Sequence, residues 1–171
     1  EGNKSKKWSK IKVPSQWELQ GFGEYTYGRW YKAGLKNPSM EQGFYEYSFA
    51  LPRNWKDKQV EIVFEGVMTD AEVKINGQSA GEMHQGGFYR FAYNITEKLK
   101  FSGKNKLEVK VSKHSADRLV NAAERRADWW LFGGIYRPVF LTAKPSNHIE
   151  RIAVNAKANG EFSADIFTNP L

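Results

Sequence analysis

The chain has 171 residues, of which 40% are hydrophobic, 15% aromatic and 26% charged, with a formal net charge of +7 and no cysteine. A chain of this length can form one well-cored domain, or one domain and part of a neighbour, but not a (β/α)8 barrel of about 250 residues. The composition excludes a disulfide framework, a cysteine nucleophile and a thiolate zinc site, and no apolar run approaches the roughly 18 residues of a membrane span.

Apolar residues recur at every second position along most of the chain, and no window of eleven or more residues carries a clean helical stripe. The runs GFYEYSFAL at 43–51 and VEIVFEGV at 60–67 predict two strands. A further strand ends at Asn76-Gly77, a dipeptide that adopts positive φ at low cost and closes a tight hairpin. Strands are also predicted in FYRFAYNI, KLEVKV and IYRPVFL, so the pattern indicates an all-β sandwich.

Charged residues fall mainly at the outward positions of these strands. The lysines are scattered, so we interpret the net charge as a solvated surface and expect no nucleic-acid partner. Most acids, such as Glu61, Glu65, Glu72 and Glu108, are expected to be solvated, and no pair of carboxylates stands out as a catalytic pair.

Residues 112–132 interrupt the alternation. A loop of about 20 residues is predicted there, with one helical turn near 122–126, and loops of this length in compact domains are usually functional. We expect residues 117–126 to have few buried contacts and to lie at the low-stability end of the fold, whereas Trp129 and the residues after it are anchored by the next strand.

The last part of the chain starts a new alternation after Lys144-Pro145-Ser146, a plausible linker. A second Asn-Gly pair, Asn159-Gly160, predicts another hairpin, and an isolated hairpin is only marginally stable. We therefore predict a first domain over residues 1–146 and the opening of a truncated second domain over 147–171. The alternative is an extra edge hairpin of the first domain.

The loop contains the stretch ADWWLFGGIYR, in which Asp128 precedes Trp129 and Trp130. A carboxylate there can accept hydrogen bonds from a sugar while an indole stacks on the apolar face of the ring. An equally weighted alternative is an acid that caps backbone amides beside core aromatic residues. A second aromatic segment, near the N-terminus, is interpreted as a cover for the end of the sandwich or as a stacking platform; its rings are those of Trp17, Phe22, Tyr25, Tyr27, Trp30 and Tyr31.

Four segments in order resemble the jelly-roll, or sugar-binding, domain of glycoside hydrolase family two, which includes β-galactosidases, β-glucuronidases and β-mannosidases. They are the opening VPSQWELQ, the strand FEGV, the hairpin AEVKING and the turn WWLFGGIYRPV into the last strand. The resemblance spans about residues 13–145 and implies a galactose-binding-domain-like jelly roll of two antiparallel sheets. It also implies downstream immunoglobulin-like and barrel domains in the same protein.

The resemblance implies retaining glycosidases whose catalytic glutamates lie in the barrel, one of them within an Asn-Glu dipeptide. This chain has no Asn-Glu dipeptide, so we expect it to be inactive alone and to need no cofactor. In β-galactosidases of the family, an aspartate before the tryptophan helps to form the sugar subsite, sometimes through a sodium ion, and Asp128 matches it. Trp129 and Trp130 would wall that subsite. A sugar-contacting asparagine would correspond to Asn37, although this chain has extra residues between Asn37-Pro38 and Gly43.

These observations predict a non-catalytic accessory domain of a β-galactosidase-like exo-β-glycosidase that contributes a loop to the sugar subsite. The alternatives are an independent carbohydrate-binding module and a structural domain that buttresses the barrel. The mature-looking start and the lack of cysteine lead us to expect a periplasmic or secreted bacterial protein.

Overall fold

The computed structural model of the chain describes residues 8–28, 41–126 and 128–169. Its strands are β1 (Thr26–Tyr27), β2 (Gln42–Ala50), β3 (Lys58–Phe64), β4 (Asp70–Ile75), β5 (Gln78–Ser79), β6 (Phe91–Asn94), β7 (Lys104–Ser112), β8 (Trp130–Leu131), β9 (Val139–Pro145), β10 (Ile149–Ala156) and β11 (Phe162–Thr168). Helical structure in these residues consists of the one-turn helix α1 (Arg118–Val120), a π-helical turn (Asn121–Arg125) and 3₁₀ turns at Glu18–Gln20, Arg53–Trp55 and Thr96–Lys98.

Two antiparallel sheets form a sandwich. One has the order β2-β7-β4-β5 and the other the order β6-β3-β9. The all-β prediction is confirmed, and β1-β8 and β10-β11 are separate two-stranded ribbons. No helix in the described residues is both long and apolar enough to cross a membrane.

The core lies between the two sheets because alternate residues of each strand point inward. Val60, Ile62 and Phe64 of β3 are at most 1% exposed, as the period-two pattern predicted. They meet a second set of buried side chains from β4 and β7, namely Ala71, Val73, Ile75, Val109 and Val111. Trp17, from the segment before β1, closes this core and is only 5% exposed.

The Asn76-Gly77 turn joins β4 to β5 as predicted. Asn76 has φ 53° and Gly77 has φ 81°, and the flanking residues pair as Ile75 with Gln78. The Asn76 side chain also accepts a hydrogen bond from the backbone of Lys106 at 3.0 Å and donates one to Asn105 at 2.8 Å. The turn is therefore held to β7 as well as to its own hairpin.

The segment between β7 and β8 is packed more tightly than the sequence suggests. Asp117 caps α1 by accepting hydrogen bonds from the Leu119 and Val120 amides. Glu124 is 8% exposed and Arg125 is 2% exposed, and Glu124 accepts a 2.7 Å hydrogen bond from the Gly87 amide. The expectation of few buried contacts over residues 117–126 is wrong, because two charged side chains of the π-helical turn point into the protein.

Candidate functional site

The ribbon of β1 and β8 contains Trp130, and two further predicted site residues, Asp128 and Trp129, directly precede β8. Tyr27 pairs with Trp130 in this ribbon, and the Gly28 amide donates a 2.8 Å hydrogen bond to the Trp129 carbonyl. These contacts hold the end of the long loop against a segment far earlier in the chain. Tyr27 and Asp128, for example, are 101 positions apart in sequence. The sequence predicted anchoring by the following strand, whereas the structure holds Trp130 in the two-residue strand β8, paired with β1, and Trp129 directly before it.

We refer to Tyr25, Tyr27, Asp128, Trp129 and Trp130 as the aromatic patch. The Tyr25 ring meets Trp130 edge-on, with ring centroids 6.1 Å apart, and the Tyr27 ring lies 5.7 Å from Trp130. Edge-to-face contacts of this kind hold aromatic rings in fixed orientations. Trp129 is nevertheless 47% exposed and Trp130 is 54% exposed, so both rings present apolar surface to solvent.

Asp128 is exposed, and Tyr27 contacts it directly. The Tyr27 hydroxyl donates a hydrogen bond to Oδ1 of Asp128. A phenol that donates to a carboxylate fixes the orientation of that carboxylate. In this loop, backbone capping is the role of Asp117. Tyr27 therefore fixes the position of Asp128 in the domain.

A buried ion-pair network supports the patch from below. Glu18 accepts a hydrogen bond from the Gly133 amide at 3.1 Å and forms an ion pair with the Lys113 ammonium at 2.8 Å. Lys113 also pairs with Glu41 at 3.2 Å and donates to the Glu24 carbonyl. The side chains of Lys113 and Glu18 are both fully buried. This network ties the start of the domain to the turn that follows β8.

Arg125 forms a second support. Its Nη2 donates a 2.6 Å hydrogen bond to the Phe132 carbonyl. Burial lowers the pKa of Arg125 to about 10, and the nearby carboxylates of Glu124 and Glu18 oppose that change. The guanidinium therefore stays charged at neutral pH, and it fixes the chain just after the patch. Arg137 donates hydrogen bonds to the Glu65 and Phe88 carbonyls, each at 3.4 Å.

Two predicted features of the site have different outcomes. Asn37 lies outside the described residues. For a sodium ion, Asp128 offers one carboxylate, and no group of three or more His, Cys, Asp or Glu side chains able to hold a metal occurs within the described ranges. The described side chains therefore do not form a complete cation site on their own.

The sequence analysis did not assign Tyr27 a specific contact. From the sequence, Tyr25 and Tyr27 belong to the aromatic segment near the N-terminus. No local sequence pattern indicates that residue 27 pairs with residue 130. The alternation of Tyr25 and Tyr27 was the available signal, because it places two rings on one face of a short strand.

Comparison with known proteins resolves the family. Residues 3–145 match the family described as glycosyl hydrolases family 2, sugar binding domain. The chain belongs to this family. A β-galactosidase of Priestia megaterium is 30% identical over 91% of this chain, and a β-glucuronidase of Formosa agariphila is 33% identical over 83% of it. The matches cover 16% and 15% of those two proteins, so this family-2 domain spans about a sixth of each relative.

A solved structure agrees with this assignment. The crystal structure of Bacteroides uniformis β-glucuronidase matches 86% of this chain with a TM-score of 0.68 and 30% identity, and the match covers 17% of that protein. The sandwich fold of this family-2 sugar-binding domain is therefore shared with a much longer glycosidase. The structure-based and sequence-based comparisons agree on the family.

Proposed function

We propose that this domain is the non-catalytic part of a β-galactosidase-like retaining exo-β-glycosidase, and that its aromatic patch supplies one wall of the sugar subsite. The observation that carries the proposal is the exposed carboxylate of Asp128, which accepts a hydrogen bond from the Tyr27 hydroxyl and is followed in the chain by two exposed indole rings. The hydrolysis of the O-glycosidic bond belongs to another part of the longer protein.

The chemistry of the patch suits a monosaccharide ring. A pyranose has one face of C–H groups, which packs on an indole, and a rim of hydroxyl groups, which donate to a carboxylate. Trp129 and Trp130 offer the first kind of surface and Asp128 the second. Because Tyr27 fixes one oxygen of Asp128, the carboxylate meets the sugar in a defined orientation.

The relatives support the placement of the catalytic groups elsewhere. Glycosidases of the retaining class need two carboxyl groups about 5 Å apart on either side of the scissile bond. The β-galactosidase and the β-glucuronidase compared above are each about six times as long as the segment they share with this chain. A wall that positions the sugar can nevertheless raise kcat/KM by binding the transition state better than the free substrate.

We predict that Asp128→Ala in the full-length enzyme lowers kcat/KM for aryl β-glycosides by about 10-fold or more and leaves the melting temperature nearly unchanged, since Asp128 is exposed. Tyr27→Phe keeps the ring and should give a smaller loss of the same kind, because the carboxylate remains but is less well oriented. Steady-state kinetics and thermal unfolding of both variants test this. Asp57→Ala, an exposed acid in the turn before β3, is the matched control.

Loss of stability with unchanged kinetics in Asp128→Ala would refute the subsite and return Asp128 to a structural role. If Tyr27→Phe and Asp128→Ala act through one contact, the double variant should lose no more activity than Asp128→Ala alone.

We also propose that the ribbon of β10 and β11 begins a second sandwich domain. Its cross-strand pairs place Ile152 beside Ile166, Val154 beside Ala164 and Ala156 beside Phe162 on one face. That face is apolar and exposed, with Val154 at 60% and Phe162 at 69%. The opposite face carries polar groups and Arg151, whose guanidinium lies 3.8 Å from the centre of the Phe167 ring.

An apolar sheet face of this kind is normally covered by a second sheet. The ribbon pairs only with itself among the described strands, and the relatives are much longer than this chain. Asn169 joins the ribbon to the first domain by donating a 2.9 Å hydrogen bond to the Gln59 side chain. These features favour a following domain over an extra edge hairpin.

We predict that Ile152→Lys destabilises the full-length protein by about 2 kcal/mol or more but changes the stability of the 171-residue chain by less than about 0.5 kcal/mol. Urea unfolding of both lengths tests this, with Asn155→Lys on the polar face as the control. An equal loss in the short chain would show that the face is already covered there, as an edge hairpin requires.

A further inference from the structure

Two Asn-Gly dipeptides occur in the sequence, Asn76-Gly77 and Asn159-Gly160. Asparagine followed by glycine is the pair most prone to spontaneous deamidation, because glycine has no side chain to hinder attack by its own backbone nitrogen on the asparagine amide. Both dipeptides lie in turns between paired strands, and both glycines have positive φ and open space where a Cβ would lie. The two turns differ in what holds the asparagine side chain.

The Asn76 side chain is held in place by three hydrogen bonds. Its Nδ2 donates to the Lys98 carbonyl and to Oδ1 of Asn105, each at 2.8 Å, and its Oδ1 accepts from the Lys106 amide at 3.0 Å. Asn76 is half-buried and Asn105 is 1% exposed. Turning the Asn76 amide toward the Gly77 nitrogen breaks these bonds and leaves buried polar groups without partners, so the fold protects Asn76.

Asn159 lies at the exposed tip of the ribbon formed by β10 and β11. Its Oδ1 accepts a 3.1 Å hydrogen bond from the Glu161 amide, and its Nδ2 donates to no group in the described part of the chain. The Gly160 amide donates to the Lys157 carbonyl at 3.0 Å. Both bonds lie in solvent, where water takes the place of a lost partner, so opening them costs little. Asn159 is therefore able to react.

The reaction needs water and no other reactant. The Gly160 nitrogen attacks Cγ of Asn159, a C–N bond forms, and the Cγ–Nδ2 bond breaks. Nδ2 leaves as ammonia and carries away, through water, the proton that the Gly160 nitrogen loses. Water then opens the resulting succinimide ring at either of its carbonyl carbons. One product is aspartate with a normal backbone, and the other is isoaspartate, in which the main chain runs through the side-chain carbon.

We infer that Asn159 is a site of spontaneous deamidation and that the fold protects Asn76 from the same reaction. Isoaspartate adds a carbon atom to the backbone between β10 and β11, and either product adds a carboxylate close to Glu161. The ribbon pairs only with itself among the described strands, so a change at its turn acts on a unit that no neighbouring strand holds. Deamidation therefore loosens the ribbon as the protein ages. This inference does not depend on the sugar subsite proposed above.

The test uses the folded 171-residue chain, incubated at mildly alkaline pH, where the attacking amide loses its proton more often. Peptide mass spectrometry follows the mass gain at each Asn-Gly site over time, and an isoaspartate-specific methyltransferase labels the isoaspartate formed. Asn159 should deamidate at least about 10 times faster than Asn76. In urea, where both side chains are released from their partners, the two rates should converge.

Asn159→Gln is the matched control, because it keeps the amide but lengthens the side chain, so that attack would have to close a larger ring. This variant should lose most of the isoaspartate signal and leave the rate at Asn76 unchanged. In amide spectra of the aged chain, the signals that shift should belong to the ribbon. The inference is overturned if Asn76 reacts as fast as Asn159 in the folded chain, or if neither reacts there while both react in urea.

Discussion

Replacing Gly133 with alanine is expected to destabilise the domain by about 3 kcal/mol, more than any other single methyl group added in this region. A Cβ atom at Gly133 would lie 2.1 Å from Cζ2 of Trp17, and Trp17 cannot withdraw because its other edge lies against Gly43, where a Cβ would approach Cζ3 to 2.6 Å. The ring is only 5% exposed and is part of the core. A clash with a clamped indole must therefore be relieved by movement of the backbone.

Urea unfolding of the 171-residue chain measures this effect. Gly87→Ala is the control, because its nearest contact is the flexible end of Glu124 at 3.3 Å, and it should cost far less. Trp17→Leu removes the obstacle, so the double variant with Gly133→Ala should lose less stability than the sum of the two single losses. Additive losses would show that the strain does not come from this contact.

Lys113→Met is expected to cost about 3–5 kcal/mol, because it leaves the carboxylate of Glu18 buried without its counter-charge. Both side chains are fully buried, and the Lys113 ammonium lies 2.8 Å from Glu18. Single domains are stable by only about 5–15 kcal/mol, so this loss brings the fold close to unfolding.

The matched control is Lys106→Met. Lys106 forms ion pairs of similar length, at 2.9 Å with Glu46 and 3.1 Å with Glu108, but it is 42% exposed. An exposed ion pair contributes little to stability because water and salt screen it, so this variant should unfold at nearly the same urea concentration as the wild type. Adding Glu18→Gln to Lys113→Met should restore part of the stability, because the uncompensated charge is removed. Equal losses for Lys113→Met and Lys106→Met would contradict the role of burial.

The strands were predictable because their information is local. Val60, Ile62 and Phe64 recur at every second position, and Asn76-Gly77 specifies its turn by backbone preference alone. The buried Lys113 left a weaker signal. Lys113 continues the series of inward positions formed by Val109 and Val111 in β7, so the alternation predicts a charged side chain on the core side of the sheet. Its partner Glu18 is distant in sequence, and no periodic pattern indicates it.

The site was predictable only in part. Asp128, Trp129 and Trp130 are recognisable in the sequence as a cluster of an acid and two indoles, and all three are exposed in the structure. Tyr27 was not assigned to Asp128 because their contact depends on long-range strand pairing, which the sequence does not encode locally. The buried charges of Glu124 and Arg125 were missed for a related reason, since a π-helical turn directs them inward without a recognisable apolar stripe.

The pairing of β1 with β8 makes the aromatic patch a composite of two chain segments. One contributes Tyr25 and Tyr27, the other Asp128, Trp129 and Trp130, and Glu18 reaches from the first segment to the turn of the second. Grafting the long loop alone onto a related domain would therefore move the carboxylate without the hydroxyl that orients it. If the aromatic patch has the role proposed above, substitutions near residue 27 should change its ligand preference even when the long loop keeps its sequence, so the two segments are expected to evolve together.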